Sequence, residues 1–233
     1  MLRLFHTVAN RVSALFMKLL FGSVTRSHVL RRENADLSGG LILACNHISH
    51  FDPLILSAIV RRKIDWMAMA EFFPYPVLGQ WLWAVDAFPA DRDRADRATI
   101  RSALERLRSG RIVGIFPEGG IRDGKSSMLE GAPVRSGVAV LSDLAHVPVL
   151  PCVIFGSDRL YNVRRWLPWR RAPVWVAFGE PISGNRELPK PAARQQFEQE
   201  FSNALNNLSR ELRGTFSLTE NDLPHSPRER MRE

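Results

Sequence analysis

Short apolar runs that stop at glycine or at a polar turn, with amphipathic stretches between them, constrain this chain more than any other feature. Leu41–Cys45 follows Gly39 and Gly40, Arg111–Phe116 follows Gly110, and Val147–Phe155 is a third run. Val174–Phe178 ends at Gly179, and Ile64–Met69 is a weaker fifth. Runs of this length and boundary are the pattern of buried strands. Between them, residues 95–109 put Ile100, Leu104 and Leu107 on one face and Arg97, Arg101 and Arg108 largely on another, and Gly110 stops the helix. Residues 133–145 repeat the idea through Val134, Val138, Leu141 and Ala145, and residues 191–213 through Phe197, Phe201, Leu205, Leu208 and Leu212. Strands alternating with helices predict an α/β fold: a single layered domain with a mainly parallel mixed sheet flanked by helices. Its working groups should gather on loops at the carboxyl ends of strands.

A chain of 233 residues has room for one such core with appendages. The expected division is an N-terminal membrane-associating helical segment over 1–35, the layered domain over 36–214, and a flexible tail over 215–233 rich in Arg, Pro, Ser and Glu. In the first segment Leu4, Val8, Val12, Leu15, Phe16 and Leu19 recur at steps of three or four, forming an amphipathic stripe. The apolar stretch is too short and interrupted to span the ~30 Å of a bilayer's hydrocarbon. Such a stripe packs either on a core or in the plane of a membrane surface, and both readings stay open.

Charge narrows the partners. Lys and Arg number 32 against 24 acids, a formal net charge of +8, which favours anionic partners. Residues 1–32 carry six basic residues and no acid, and five arginines fall between Arg159 and Arg171. Both stretches also hold bulky apolar residues, including Trp166 and Trp169. A nucleic-acid surface needs no Leu or Phe between its charges, whereas a bilayer rewards both kinds of residue, so a membrane and no nucleic acid is expected. Cys45 and Cys152, the only cysteines, sit inside apolar runs without metal-ligand spacing, which argues against a disulfide framework or a zinc site.

The residues that can carry chemistry follow the strands. The first run leads into Asn46-His47-Ile48-Ser49-His50-Phe51-Asp52-Pro53. Pro53 suits the first helical position, which makes Asp52 the expected N-cap, its carboxylate able to face back toward His47. A carboxylate on one imidazole nitrogen fixes the tautomer and leaves the other nitrogen to take a proton from a hydroxyl. An Asp before Pro also caps helices routinely, so the pair by itself keeps a structural reading. His50 is a rival base with no obvious orienting partner. Phe116-Pro117-Glu118-Gly119-Gly120-Ile121-Arg122 follows the second run and offers close backbone approach, an acceptor and a cation in one loop. Arg92, in Ala90-Asp91-Arg92-Asp93-Arg94, is a candidate phosphate clamp, although alternating Asp and Arg also pair with one another. Val147-Pro148-Val149-Leu150-Pro151 reads as an edge strand or pocket wall because of its prolines.

Four of these blocks, in this order, resemble the glycerophospholipid acyltransferase superfamily, of the 1-acyl-glycerol-3-phosphate acyltransferase type. Asn46-His47-x-Ser49-x-x-Asp52 is similar to its Asn-His-x-Ser-x-x-Asp block, Gly79 to Arg92 to its second, Phe116-Pro117-Glu118-Gly119 to its third, and Val147 to Pro151 to its fourth. The resemblance covers about residues 38–185. It implies His47 and Asp52 as the catalytic pair, and Asn46, Ser49, Arg92, Glu118, Gly119, Gly120, Arg122 and Pro151 as substrate-binding. It also implies a fatty acyl thioester on coenzyme A or acyl carrier protein as co-substrate, with neither cofactor nor metal. The acceptor is a lysophospholipid, first of all lysophosphatidic acid, with other lysophospholipids or lyso-aminolipids left open, and the place of action is the cytoplasmic face of the cell membrane. Backbone donors in the 46–49 turn are expected to hold the oxyanion. The family usually continues Phe-Pro-Glu-Gly with Thr-Arg-Ser, whereas here Gly120-Ile121-Arg122 displaces the arginine by one position, which bears on the acceptor headgroup. A non-catalytic lipid-binding relative and a hydrolase using the same pair on water are the other classes to separate.

Overall fold

A computed structural model describes residues 12, 15–90, 97–122, 124–185 and 187–232. A helix through residues 15–24 (α1) leads directly into strand β1, Thr25–Leu30. The further strands are β2 Leu41–Cys45, β3 Ile64–Met69, β4 Phe88–Ala90, β5 Ile112–Ile115, β6 Val149–Phe155 and β7 Ala172–Phe178. They form one sheet in the order β1-β7-β6-β2-β5-β3-β4. Five strands from β6 to β4 are parallel, while β7 runs antiparallel to β6 and β1 parallel to β7. The mainly parallel mixed sheet is therefore present. Because β2, β5 and β6 share a direction, the turns after Cys45, Ile115 and Phe155 open at one end of the sheet.

Helices cover both faces. On one lie α4 (Arg97–Arg108), α5 (Gly137–Ala145) and α6 (Lys190–Thr215), whose Ala103, Leu107, Val138, Leu141, Phe201 and Leu205 pack against Ile42, Ala44 and Val113. On the other, α1 and α2 (Asp52–Ile59) bring Phe21, Val24, Ile55 and Leu56 onto Leu41, Leu43 and Cys45. Alternate residues of β2 thus serve opposite cores, which is why its five residues read as unbroken apolar sequence.

All five expected strands form. β1, β4 and helix α3 (Pro76–Ala84) are additional, since four of the six residues of β1, at the sheet edge, are polar and β4 has three residues. Several expectations are corrected. Residues 25–35 are not part of a membrane-associating helix: β1 and the following 3-10 turn, Arg32–Asp36, belong to the sheet domain. The tail beyond 214 is not loose. Arg230, in the short helix Pro227–Arg230 (α7), is buried at 1% exposure and donates from Nε to Asp158 Oδ2 at 2.6 Å and from a terminal nitrogen to the carbonyls of Asn221 and Leu223. A single buried ion pair outweighs the polar composition that suggested disorder. The proline strand β6 is interior, not an edge. Val149 gives its N–H to Ile182 on the β7 side, and alternate residues point alike, so the donor that Pro151 lacks falls there, beyond the last ladder pair Cys152 with Phe178.

Leu4 and Val8 of the N-terminal stripe lie outside the described residues. In the described part, Leu15, Phe16 and Leu19 are exposed at 59%, 57% and 66%, while Phe21 and Val24 on the other face are buried. Among the described residues no helix is long and apolar enough to cross a membrane.

Replacing Arg230 by Met strands the buried Asp158 carboxylate, so Arg230→Met should lower unfolding stability by roughly 3 kcal/mol in a urea titration. A tail detached from the domain would leave the midpoint unmoved.

Candidate active site

The turn after β2 is built around one carboxylate. Asp52 is fully buried, and Oδ2 accepts from His47 Nδ1 at 2.8 Å, Ile48 N at 2.8 Å and Ser49 N at 2.9 Å. Its other oxygen accepts a short hydrogen bond from the Ser157 hydroxyl, at the end of β6. Asp52 is not the N-cap of α2. Helical bonding starts at the Phe51 carbonyl, which accepts from Ile55 N, so Asp52 is the first helical residue and its side chain turns back into the loop. An ionised carboxylate only accepts, so Nδ1 carries the imidazole proton and Nε2 presents its lone pair.

The imidazole is held from both sides. Its ring stacks on Phe116 at 4.0 Å between centroids, and Phe116 stacks on Trp66 at 4.9 Å. Trp66 can lie flat there because residue 114 is glycine, where a Cβ would stand 2.4 Å from the indole ring. The His47 backbone is clamped by the loop after β5: its N–H donates to Glu118 Oε2 at 2.6 Å, and its carbonyl accepts from Arg122 N at 2.8 Å.

The other expected site residues divide. Asn46 is buried and exchanges two bonds with Ile154, donating to its carbonyl at 3.0 Å and accepting from its N–H at 2.8 Å, which ties β2 to β6. Ser49 Oγ accepts from Phe51 N, and its side chain is buried. Glu118 is buried, with both carboxylate oxygens engaged inside the protein. Its Oε1 accepts from Ser127 Oγ and Met128 N, its Oε2 from His47, and burial pushes its pKa up against the lowering effect of those donors. Pro151 is buried in β6 and does not line the groove described below. Gly119, at φ +67°, is where the Arg135 guanidinium lies, 2.4 Å from any Cβ placed there. Arg122 is exposed, and Arg92 lies outside the described residues.

The expected oxyanion donors in the 46–49 turn are corrected as well. The N–H groups of His47, Ile48 and Ser49 are all spent on Glu118 and Asp52. By contrast, the N–H groups of Gly120 and Ile121 have no partner among the described residues, and both residues line the same groove as His47. His50 does have an orienting partner: its Nδ1 lies 2.6 Å from the Tyr161 hydroxyl, and burial, then the neighbouring His47, lower its basicity. Ser157, Tyr161 and Arg135 were not found by sequence reasoning. No spacing links Ser157 or Tyr161 to a turn more than a hundred positions earlier.

A groove of about 1070 Å³ starts at His47 and runs along β3, lined among others by Leu54, Trp66, Met67, Leu82 and Phe116. The strand's six residues span about 17 Å. At its far end Arg62 is tied to the carbonyls of Leu37, Gly39 and Gly110, and Lys63 is paired with Asp86. A mostly apolar slot with one oriented base at its mouth suits an aliphatic chain whose reactive end meets a hydroxyl.

The chain is similar to known proteins in sequence and in fold. Residues 26–155 match the family Acyltransferase. A 1-acyl-sn-glycerol-3-phosphate acyltransferase of Bacillus subtilis (strain 168) is 30% identical over 155 residues, 66% of this chain and 72% of that one. The enzyme of the same name from Streptococcus pneumoniae is 25% identical over 182 residues, 77% of this chain and 63% of that one. The crystal structure of the 1-acyl-sn-glycerophosphate (LPA) acyltransferase PlsC from Thermotoga maritima shares the fold at a TM-score of 0.56 with 17% identity, covering 83% of this chain and 81% of that one.

Two substitutions test the frame around the base. Glu118→Gln sets an amide donor against the His47 N–H, and should lower kcat by about tenfold or more with little change in KM, from the loss of roughly 1.5–3 kcal/mol in a charge-assisted bond. Ser157→Ala removes one donor from Asp52, and a kcat drop of about tenfold is expected; an unchanged kcat would make Ser157 a packing residue only.

Proposed function

The chain belongs to the acyltransferase family and is an O-acyltransferase, and on that premise we propose that it moves a fatty acyl group from acyl-CoA or acyl carrier protein to the hydroxyl of 1-acyl-glycerol-3-phosphate, forming phosphatidic acid. The observation that carries this reading is the pairing of His47 and Asp52 at the mouth of an apolar groove. The acyl chain lies along β3 with its thioester at the mouth. Nε2 of His47 removes the acceptor's proton as the hydroxyl oxygen attacks the thioester carbonyl, and Asp52 stabilises the imidazolium. As the tetrahedral intermediate collapses, the carbon–sulfur bond breaks and the imidazolium proton goes to the departing thiolate. The free N–H groups of Gly120 and Ile121 are the donors best placed for the oxyanion. No acyl-enzyme, metal or cofactor enters the scheme.

The acceptor's phosphate needs cations beside the base. Arg135, lying over Gly119, and Arg122, whose N–H closes on the His47 carbonyl, supply them. Bilayer contact follows from the groove's flanks. Met17 and Lys18 of α1 and Leu78 and Trp81 of α3 line it, and the same helices expose Leu15, Phe16, Leu19, Val77 and Trp83. An acyl chain entering between two exposed apolar helices comes from a membrane surface, here the cytoplasmic leaflet.

The test is transfer from labelled acyl-CoA to lysophosphatidic acid in mixed micelles, with acyl carrier protein as a parallel donor. Wild type should form phosphatidic acid, and His47→Ala should lose between about a hundredfold and ten-thousandfold in kcat. Equal activity of the two proteins would remove His47 as the base, and release of free fatty acid in place of acylated lipid would make the protein a hydrolase.

A further inference from the structure

A second concavity opens at the same end of the sheet as His47. Because β1 and β7 run against the other five strands, their starts lie where β6 ends: Phe155 is in register with Trp175, and Thr25 with Ala172. There, Arg26, Arg164, Arg165, Arg170 and Arg171 wall a cavity of about 710 Å³ that no carboxylate lines. Arg26 reaches it from the edge strand, and the other four from the turns before β7. Other arginines are paired, as Arg31 is with Glu211 and Arg159 with Asp222, but these five are not. The side chains of these five form no ion pair or hydrogen bond among the described residues. Like charges gathered in one concavity raise its potential and draw anions into it.

The rim identifies the anion. Val163 and Trp169 are exposed at 80% and 76%, and Leu167 is exposed beside them. Apolar and aromatic side chains set between arginines suit the headgroup layer of a bilayer, where ring and charge are both accommodated. The segment is also fixed against α1: Trp166 donates from Nε1 to the Leu160 carbonyl at 2.9 Å, and its ring meets Phe21 at 6.1 Å and Phe51 at 5.5 Å. The arginine cavity, the exposed stripe of α1 and the mouth at His47 therefore belong to one end of the molecule.

We propose that this arginine basin binds the phosphate-bearing headgroups of an anionic bilayer, apart from the acceptor site, and so recruits the enzyme to membranes rich in anionic lipid with its catalytic end facing them. The proposal rests on the reading that the enzyme works at a bilayer. Guanidinium forks are matched to phosphate oxygens, and five of them hold more than one headgroup at once.

The experiment compares wild type with the triple variant Arg164→Gln, Arg165→Gln, Arg170→Gln, by co-sedimentation with vesicles of phosphatidylcholine alone or with added phosphatidylglycerol. Wild type should bind the anionic vesicles much more tightly, and salt should erase the difference. The variant should lose about a hundredfold of that affinity while keeping wild-type kcat, and wild-type KM for acyl-CoA, in neutral detergent micelles. Wild-type binding that ignores lipid charge and salt overturns the proposal without reference to any variant. So does a variant that binds vesicles normally but has a raised KM for acyl-CoA, which would give the basin to the donor's nucleotide phosphates. A wild-type protein that shows charge-dependent binding but transfers no acyl group upholds the basin and defeats the function proposed above.

Discussion

The Asp52 carboxylate is the interaction on which the rest of the site depends. A buried charge of this kind is tolerated only when donors surround it, and here they come from three sources: the imidazole it orients, two N–H groups of its own turn, and the Ser157 hydroxyl at the end of β6. The first and last lie far apart in sequence, so the carboxylate is satisfied only when β2 and β6 are paired. Asn46 makes that pairing obligatory by exchanging two hydrogen bonds with Ile154. The geometry of the His47–Asp52 pair is thus a by-product of meeting the demands of buried polar groups, and a chain that failed to align these strands would leave several of them unpaired at once.

The same economy runs through the loop after β5. Glu118 faces inward and gives its acceptors to His47 N, Ser127 and Met128, while Arg122 returns a bond to the His47 carbonyl. The backbone donors of the first turn are already engaged, whereas Gly120 and Ile121 of the second loop line the groove with N–H groups that have no partner among the described residues. Stacking of His47 on Phe116, and of Phe116 on Trp66, continues the imidazole into the groove wall, so the groove and the orientation of the imidazole are set by one set of contacts.

Around this rigid centre the molecule is asymmetric. One end of the sheet carries the base, the groove mouth and the arginine basin, and α1 reaches β1 at that end with an apolar face turned outward. The other face of the sheet is closed by α4, α5 and α6. The C-terminal segment, through Arg230 and Asp158, covers the residue next to Ser157. The proposed orientation at a membrane follows from the strand directions, since the reversal of β1 and β7 is what brings their first residues round to the end that carries His47.

Sequence by itself determined the layered α/β class, the five main strands, and the proximity of His47 to Asp52, because these follow from local periodicity and a separation of five residues across a single turn. It also carried the family, through four short blocks in order. It misread what depends on distant partners. The polar tail resembled disorder until Arg230 met Asp158, and Asp52, whose carboxylate faces back toward His47 as expected, is the first helical residue of α2 and not its cap. Ser157 left no local trace at all. Composition and spacing describe what a residue can bond. Only the tertiary structure decides which partner reaches it first, because burial makes an unmet hydrogen bond costly and the fold selects the arrangement that leaves fewest.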